Sequence, residues 1–172
     1  MKLSKKYFQQ EDVVFLAKDL VGKLLVTEIN GIRTGGIITE TEAYSEIEKG
    51  CHAYNKRKTE RTKIMFDAGG LAYVYLCYGM HHLFNIVTGS KDVAQAVLIR
   101  SINPTIGVDE ILHRRKKTRM DKNLCNGPGK VCQALGITKS HYGMELTGNN
   151  IWMEQSAFDL PESQITATPR IG

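Results

Sequence analysis

The sequence predicts an α+β fold: a mostly antiparallel, curved β-sheet with a protruding β-hairpin, flanked by helices. Two observations support this interpretation. Segments rich in β-branched and aromatic residues are joined by short turns, which connect antiparallel neighbours. Segments with the periodicity of amphipathic helices lie outside those strands. The chain has 172 residues, the size of one domain, and we expect a single domain over residues 1–172.

The first quarter of the chain is typical of a helix followed by a hairpin. Residues 11–21 carry apolar side chains at helical spacing, and Gly22 suits the C-terminal stop of a helix. A strand is predicted over 23–29, where Asn30-Gly31 follows as the preferred dipeptide of a type I′ hairpin turn. A second strand is predicted over 33–44.

Residues 45–70 are polar and predict a long, irregular connection of the kind that tends to be functional. Beyond it, the pattern predicts a second hairpin with large side chains at its tip, one further strand and two helices. These elements are expected at 72–76 and 83–88 with Tyr78-Gly79-Met80 at the turn, at 94–101 with an end at Asn103-Pro104, and at 107–117 and 128–136.

The composition excludes several classes of protein. The four cysteines (Cys51, Cys77, Cys125 and Cys132) form no CxxC pair and no zinc pattern, so we expect reduced thiols and no metal. The N-terminus lacks the apolar stretch of a secretory signal and no run could cross a bilayer, so we expect an intracellular protein without a membrane partner. The diglycines at 35–36 and 69–70 are expected to be turns rather than phosphate-binding loops, so no cofactor is expected.

The charge balance favours a polyanionic partner. The formal net charge is +5 and the pI is near 9.0. Basic residues concentrate in two clusters, and a basic patch on one face is the electrostatic footprint of nucleic-acid binding. The first cluster comprises Lys56, Arg57, Lys58, Arg61 and Lys63, and the second comprises Arg114, Arg115, Lys116, Lys117, Arg119 and Lys122.

Two carboxylates stand on one face of the second predicted strand. The period of two places Glu40, Glu42 and Tyr44 on the same side of the sheet. Glutamate is disfavoured in strands, and two carboxylates about 7 Å apart suit an inverting hydrolase in which one activates water. The alternative is an exposed polar face of an edge strand.

Other side chains are candidates for binding. His52 could donate a hydrogen bond or offer a stacking surface, or could be structural. Tyr73 and Tyr75 share a strand face, whereas Tyr78 at a hairpin tip is hard to bury and is a candidate for insertion into a partner. Asn85 and Arg100 lie in apolar segments, where a buried amide or charge either supports the fold or recognises a ligand.

The order of these motifs resembles that of the alkyladenine (3-methyladenine) DNA glycosylases. The match runs from about residue 12 to the end of the chain, and the motifs occur in the family order. They are Glu40-Thr41-Glu42-Ala43-Tyr44 with His52 and Met65-Phe66, Tyr73-Val74-Tyr75-Leu76-Cys77-Tyr78-Gly79-Met80 with Asn85, Val97-Leu98-Ile99-Arg100, Cys125-Asn126-Gly127-Pro128-Gly129-Lys130, Cys132-Gln133-Ala134-Leu135 and Pro169-Arg170-Ile171-Gly172.

The resemblance implies a role for each matched residue. Glu42 would activate water, and Arg100 would help to hold that water. Three rings would enclose a base rotated out of the duplex, those of Tyr44, His52 and Tyr75. Asn85 would contact the edge of this base.

Further roles implied by the resemblance concern the hairpin and the chain end. Tyr78 would enter the duplex and fill the gap left by the extruded nucleotide. Met80 and Leu98 would flank the hairpin and the pocket. The main-chain carbonyl of Ile171 would contact the water.

Together these expectations describe a monofunctional DNA glycosylase of base excision repair. It would bind double-stranded DNA containing alkylated or deaminated purines and leave an abasic site, acting as a monomer in the bacterial cytoplasm or a eukaryotic nucleus. Two other functions stay open at this point. One is a non-catalytic protein that binds alkylated DNA, and the other is a carbohydrate hydrolase that uses Glu40 together with Glu42.

Overall fold

A computed structural model describes residues 1–157 and 160–170 of the chain. Six strands form one curled sheet in which every neighbouring pair is antiparallel, in the order β3-β4-β5-β2-β1-β6. The strands are β1 (Leu24–Ile29), β2 (Ile32–Ser45), β3 (Ala72–Cys77), β4 (His81–Val87), β5 (Gln95–Ile106) and β6 (Ile151–Glu154). The α+β class with a mostly antiparallel sheet is therefore confirmed.

Helices cover one face of this sheet. The α-helices are α1 (Lys5–Phe8), α2 (Val13–Leu20), α3 (Val108–Arg114) and α4 (Pro128–Leu135). The 3-10 turns are Tyr54–Lys56, Lys63–Phe66, Lys139–His141 and Glu162–Gln164. Asp12 caps α2 by accepting hydrogen bonds from the backbone N–H groups of Val14 and Phe15. The helix α2 packs on β2 and β5, which buries its predicted apolar side. The helix α4 packs on β4 and β5.

The two faces of the sheet carry different apolar clusters. The larger cluster joins the helices to alternate sheet residues such as Val74, Phe84 and Ile99. The smaller one lies on the opposite face, where the irregular segment 46–70 packs against residues such as Tyr73 and Ala96. Because successive strand residues point to opposite faces, this second face is the one that presents the predicted site residues.

Two expectations about glycine and proline are wrong. The strand β5 does not end at Asn103-Pro104 but continues to Ile106, and Gly35 and Gly36 lie inside β2 rather than in a turn. Pro104 pairs with Gly36 beside a β-bulge. Because the hydrogen-bond ladder is interrupted at a bulge, the N–H that proline lacks is not needed there. A Cβ on Gly36 would stand 2.5 Å from the carbonyl oxygen of Asn103, so the close approach of the strands requires glycine here.

Other local expectations are confirmed or extended. Asn30 and Gly31 both have positive φ and join β1 to β2, as the type I′ turn requires. The short elements α1 and β6 were not predicted, since four residues are too few for a periodic pattern. All four cysteines are free. Within residues 1–157 and 160–170, no helix combines the length and apolar character that a bilayer crossing requires.

Candidate active site

A single row of side chains crosses four neighbouring strands on the open face of the sheet. Tyr73 of β3 pairs with Asn85 of β4, Asn85 pairs with Leu98 of β5, and Leu98 pairs with Glu42 of β2. Paired residues of an antiparallel ladder project to the same side. Residues that are far apart in sequence are thus aligned, with Glu42 and Asn85 about 10 Å apart at two strand spacings.

Glu42 is held on both carboxylate oxygens. Its Oε1 accepts a hydrogen bond from Nη1 of Arg100 at 2.9 Å, and its Oε2 accepts one from the hydroxyl of Tyr44 at 2.7 Å. The side chain is only 14% exposed. A carboxylate with a guanidinium and a phenol as fixed partners is held in one orientation.

Arg100 binds a second carboxylate at the same time. Its Nε donates to Glu40 at 2.9 Å, but Glu40 is far more exposed, at 55%, than Glu42. The three side chains Glu40, Glu42 and Tyr44 therefore share one face, as the strand period predicts. The alternative of an edge strand is wrong, because β2 lies between β1 and β5 within the sheet.

The Tyr44 hydroxyl stays protonated and donates its hydrogen bond to Glu42. Burial, followed by the hydrogen bond to Glu42 and the negative charge of that carboxylate, raises the pKa of Tyr44 well above its ordinary value. The Arg100 guanidinium loses some solvation by burial, yet the charges of Glu42 and Glu40 outweigh this and raise its pKa. Both partners of Glu42 thus keep their protons at neutral pH.

Tyr44, the hydrogen-bond partner of Glu42, also lines a small cavity. Its volume is about 50 Å³, and four of its nine lining residues carry aromatic rings. The lining residues are Tyr44, Gly50, Cys51, His52, Met65, Tyr73, Tyr75, Asn85 and Ala96. The cavity therefore brings together all four residues expected to contact a base: Tyr44, His52, Tyr75 and Asn85.

The rings of this cavity pack edge to face. The His52 and Tyr75 centroids are 4.7 Å apart with planes inclined by 75°, and the Tyr73 and Tyr75 centroids are 5.3 Å apart. The Nδ1 of His52 lies 2.8 Å from the Tyr73 hydroxyl. Enclosure by neighbouring atoms, and then the charge of Arg61, lowers the pKa of His52 to about 4. The imidazole is therefore neutral at physiological pH.

The two inner tyrosines are also neutral. Burial raises the pKa of Tyr73 to about 12 and that of Tyr75 to about 12. Asn85, only 3% exposed, donates from its amide nitrogen to the main-chain carbonyl of Tyr73 at 3.2 Å. This bond fixes the orientation of the amide next to the rings, so the wall of the cavity is polar only at defined points.

The β3–β4 hairpin projects its tip into solvent. Tyr78 is 90% exposed and Met80 is 72% exposed. Tyr78 and Gly79 both have positive φ, and the Met80 N–H donates to the Cys77 carbonyl at 3.1 Å to close the turn. Positive φ is unfavourable for a bulky residue. A tyrosine at this position weakens the turn, which indicates a use for the side chain outside the fold.

Three residues of the site were given no role in it by the sequence analysis. Tyr73 was placed on the same strand face as Tyr75, but it was not assigned to the pocket that it lines. Arg61 lies with its guanidinium carbon 4.5 Å from the Tyr75 ring centroid, and that of Arg170 lies 4.4 Å from the Tyr44 ring centroid. Arg170 also donates to the Ala43 carbonyl and to Glu48. Nothing in a strand pattern signals these long-range contacts.

One predicted site residue, Ile171, lies outside the described residues. A larger cavity of about 410 Å³ lies on the helix side, lined by α2 and by residues between 155 and 165, and contains none of the predicted site residues. In the described part of the chain, no group of three or more His, Cys, Asp or Glu side chains is arranged to hold a metal ion.

The two basic clusters differ in how their charges are used. In the second cluster, Arg114 binds Glu110 and the Ala134 carbonyl, and Arg115 binds the Leu124 carbonyl. In the first cluster, Arg57 is exposed and Arg61 faces the cavity rings. The first cluster lies on the segment that carries part of the cavity wall, so it is the one that adds positive charge beside the site.

Comparison with known proteins identifies the family of this chain. A family model described as methylpurine-DNA glycosylase matches residues 7–172. A relative from Chlamydia felis is 51% identical over 172 residues, which cover 99% of this chain and 87% of the relative. One from Bacillus cereus is 44% identical over 173 residues, covering 95% of this chain and 84% of the relative. Both relatives carry a provisional assignment as a 3-methyladenine DNA glycosylase. The chain belongs to the methylpurine-DNA glycosylase family.

Proposed function

We propose that the protein removes 3-methyladenine and related alkylated or deaminated purines from duplex DNA by hydrolysing the N-glycosidic bond. The nucleotide rotates out of the helix, its base enters the aromatic cavity, and Glu42 activates the attacking water. The observation that carries this proposal is the position of Glu42, which is held by Arg100 and by Tyr44, a residue whose own ring lines the cavity.

The cavity chemistry suits a positively charged base. Alkylation of a purine at N3 or N7 leaves a cation, and a cation over an aromatic face gains about 0.5–2 kcal/mol. Tyr44, Tyr75 and His52 all keep uncharged rings at neutral pH. Because these rings carry no positive charge, they do not repel a cationic, alkylated base. Such a base gains a cation–π contact, whereas an unmodified purine gains only stacking.

Glu42 suits the bond cleavage. A cationic purine is a good leaving group, and the sugar then develops positive charge at C1′. A carboxylate beside that carbon stabilises the charge and accepts a proton from the attacking water. Arg100 and Tyr44 keep the carboxylate oriented, and each oxygen retains a lone pair for the water.

The distance between hairpin tip and cavity suits base extrusion. A base inside a duplex is out of reach, so it must be unstacked at a cost of a few kcal/mol. Tyr78 lies three residues beyond Tyr75 along the same hairpin, about 10 Å away at the rise of a strand. A Tyr78 side chain inserted in the duplex would fill the gap while the base occupies the cavity, with Met80 beside it.

The proposal specifies the product. Strand cleavage by a glycosylase needs an amine that forms a Schiff base with the sugar. The described lining of the cavity contains no lysine. We therefore expect hydrolysis alone, which leaves an abasic site in an intact strand.

The deciding experiment compares two glutamates that share one arginine. In Glu42→Gln, we expect single-turnover release of 3-methyladenine to fall by about 10²–10⁴-fold, the usual contribution of a general base. In the matched control Glu40→Gln, release stays within about fivefold of wild type, because an exposed ion pair is worth at most about 1 kcal/mol. Both variants keep the shape of the side chain and a hydrogen-bond partner for Arg100.

Each rival function gives a different result in this experiment. A non-catalytic lesion-binding protein would bind the duplex tightly but release no free base even as wild type. A hydrolase with two working carboxylates would lose activity equally in Glu40→Gln and Glu42→Gln. Wild-type release rates in Glu42→Gln would show that another group activates the water.

A further inference from the structure

The guanidinium of Arg170 joins two separate parts of the site. Its Nη1 donates to the main-chain carbonyl of Ala43 in β2, and its Nη2 donates to Oε2 of Glu48 at 2.6 Å, in the irregular segment 46–70. These partners lie 127 and 122 residues away along the chain. The guanidinium carbon also lies over the ring of Tyr44, 4.4 Å from its centroid.

The surroundings of this guanidinium fix its position. A Cβ on Gly50 would stand 3.2 Å from Nη2, closer than an ordinary contact, so the glycine allows the guanidinium to approach the backbone. Burial opposes the charge of Arg170, but the hydrogen bond to Glu48 and the negative charge of that carboxylate outweigh it and raise the pKa of Arg170. The guanidinium is therefore a permanent cation with defined hydrogen-bond partners.

Tyr44 differs from the other aromatic residues of the cavity in how its ring is held. The other three rings pair with one another, and they are those of His52, Tyr73 and Tyr75. Among the described residues, no ring pair includes Tyr44. Its hydroxyl is held by Glu42, and the cation over its ring is Arg170. Arg170 therefore takes the place that a neighbouring ring has for the other three.

The plane of the Tyr44 ring matters for Glu42. A ring held only at its Cβ and its hydroxyl can still turn about the line that joins them. The O–H bond of a phenol lies close to the ring plane, so this plane sets the direction in which the hydroxyl donates. A hydrogen bond weakens steeply when the donor turns away from the acceptor. A cation fixed over the ring therefore helps to keep the hydroxyl directed at Glu42.

We propose that Arg170 is a positioning residue: it fixes the plane of the Tyr44 ring and thereby directs the Tyr44 hydroxyl at Glu42. The inference rests on the proposed function and extends it. Arg170 does not itself line the cavity, so its effect on the reaction passes through the residues that it holds. Without the guanidinium, the Glu42 carboxylate spends less time in the orientation that activates water.

A double-mutant cycle tests this series of contacts. The single-turnover rate of 3-methyladenine release is measured at saturating enzyme in wild type, Arg170→Gln, Tyr44→Phe and the double variant. We expect Arg170→Gln to lower the rate by about 10–10²-fold in wild type, the cost of a small misplacement. In Tyr44→Phe it should lower the rate by less than about twofold, since the hydroxyl that Arg170 directs is already absent. Tyr44→Phe alone should cost at least as much as Arg170→Gln.

Two further variants separate geometry from charge. Arg170→Lys keeps the charge but lacks the planar fork, so we expect it to lose nearly as much activity as Arg170→Gln. The matched control is Arg33→Gln, because Arg33 has the same kinds of contact at the other end of β2. It binds Glu28 at 2.9 Å, and its guanidinium carbon lies 5.4 Å from the Trp152 ring centroid. Its loss should leave the release rate within about twofold of wild type.

Three results would overturn the positioning role. Equal losses from Arg170→Gln in wild type and in Tyr44→Phe would mean that Arg170 supports the fold or acts on Glu42 through its charge alone. A wild-type rate in Arg170→Gln would mean that the contact has no part in the reaction. A wild-type rate in Arg170→Lys would mean that the planar contact with the ring is not needed.

A second measurement needs no substrate. In protein labelled at tyrosine, the NMR signals of the Tyr44 ring should shift in Arg170→Gln and stay in place in Arg33→Gln. The signals of Tyr73 and Tyr75, which other rings hold, should keep their positions in both variants. Unmoved Tyr44 signals would show that the guanidinium does not rest on the ring in solution, and the inference fails. A wild type that releases no base refutes the proposed function, but the NMR measurement still decides whether Arg170 holds Tyr44.

Discussion

Tyr44 links the two parts of the site through one side chain. Its hydroxyl donates to Glu42 at 2.7 Å, while its ring lines the cavity and lies 4.4 Å from the Arg170 guanidinium. A ligand that rests on this ring is therefore held next to the carboxylate that is proposed to act on it. In the proposed function, the same side chain would orient both the extruded purine and the carboxylate that activates water, which favours the near-attack geometry that rate acceleration needs.

His52 gives the first prediction at this scale, a dependence of stability on pH. Its pKa is about 4 in the folded protein against an ordinary value of 6.5. The unfolded chain therefore binds the proton more readily between these values, and stability is fully present above pH 6.5 and declines as the pH falls towards 4. The ring is partly exposed, so solvent screening keeps the effect small.

Urea unfolding of wild type and His52→Gln, measured across that pH range, tests this prediction. The variant lacks the titrating ring but retains every other ionisable group. We expect the stability advantage of wild type over His52→Gln to shrink as the pH falls from 6.5 to 4. An advantage that stays constant over this range would mean that the folded protein does not disfavour the charged imidazole.

At the scale of elements, the strand period predicted more of the site than any single motif did. Alternation placed Glu40, Glu42 and Tyr44 on one face, and it aligned Tyr73 with Tyr75. The period could not give the register between strands that are distant in sequence. It therefore could not show that Asn85 and Leu98 complete a row with Glu42, which depends on long-range pairing.

The positions of Arg61 and Arg170 in the site and the course of β5 escaped prediction for another reason. Arg61 and Arg170 reach the rings from segments without regular structure, where no periodicity constrains the direction of a side chain. Pro104 is a normal strand terminator, and it is tolerated here only because Gly36 and a β-bulge stand opposite. Both features arise from tertiary contacts, which override local preference.

The hairpin tip supports a prediction that separates stability from binding. Tyr78 has positive φ, a conformation that asparagine tolerates better. In Tyr78→Asn we expect the free energy of unfolding to stay constant or to rise by up to about 1 kcal/mol. Affinity for a lesion-containing duplex should fall, because the variant lacks the aromatic side chain that is proposed to enter the duplex as a wedge.

The matched control for the hairpin is Phe15→Asn. Phe15 is an exposed aromatic residue, 54% accessible, on α2 at the helix side of the sheet. Its replacement removes a comparable apolar surface away from the site, and we expect DNA affinity to remain unchanged. Equal losses of affinity in both variants, or no loss in Tyr78→Asn, would remove the wedge assignment. Urea unfolding and duplex titration supply the two readouts.

At the scale of the whole molecule, the basic residues behind the net charge of +5 have two different roles. Some hold elements of the fold together, and others lie on the proposed DNA-binding surface. The Arg114 side chain is only 15% exposed and contacts Glu110, Thr34 and the Ala134 carbonyl. It joins α3 to the end of α4 and to the sheet. Arg57, in contrast, is exposed on the segment that borders the cavity. Arg114 and Arg57 carry the same charge, but the first stabilises the fold and the second lies on the proposed binding surface. The sequence alone could not distinguish these two roles.

This division predicts opposite results for two substitutions of the same kind. Arg114→Gln leaves buried acceptors without their donor, so we expect a loss of about 1–3 kcal/mol in the free energy of unfolding. Arg57→Gln should leave that free energy unchanged, since its side chain is exposed. It should instead weaken binding to undamaged and damaged duplexes by a similar factor and reduce the slope of log affinity against log salt by about one. A salt slope that falls in Arg114→Gln but not in Arg57→Gln would place the DNA on the helix side of the sheet, away from the cavity, and the proposed orientation would then be wrong.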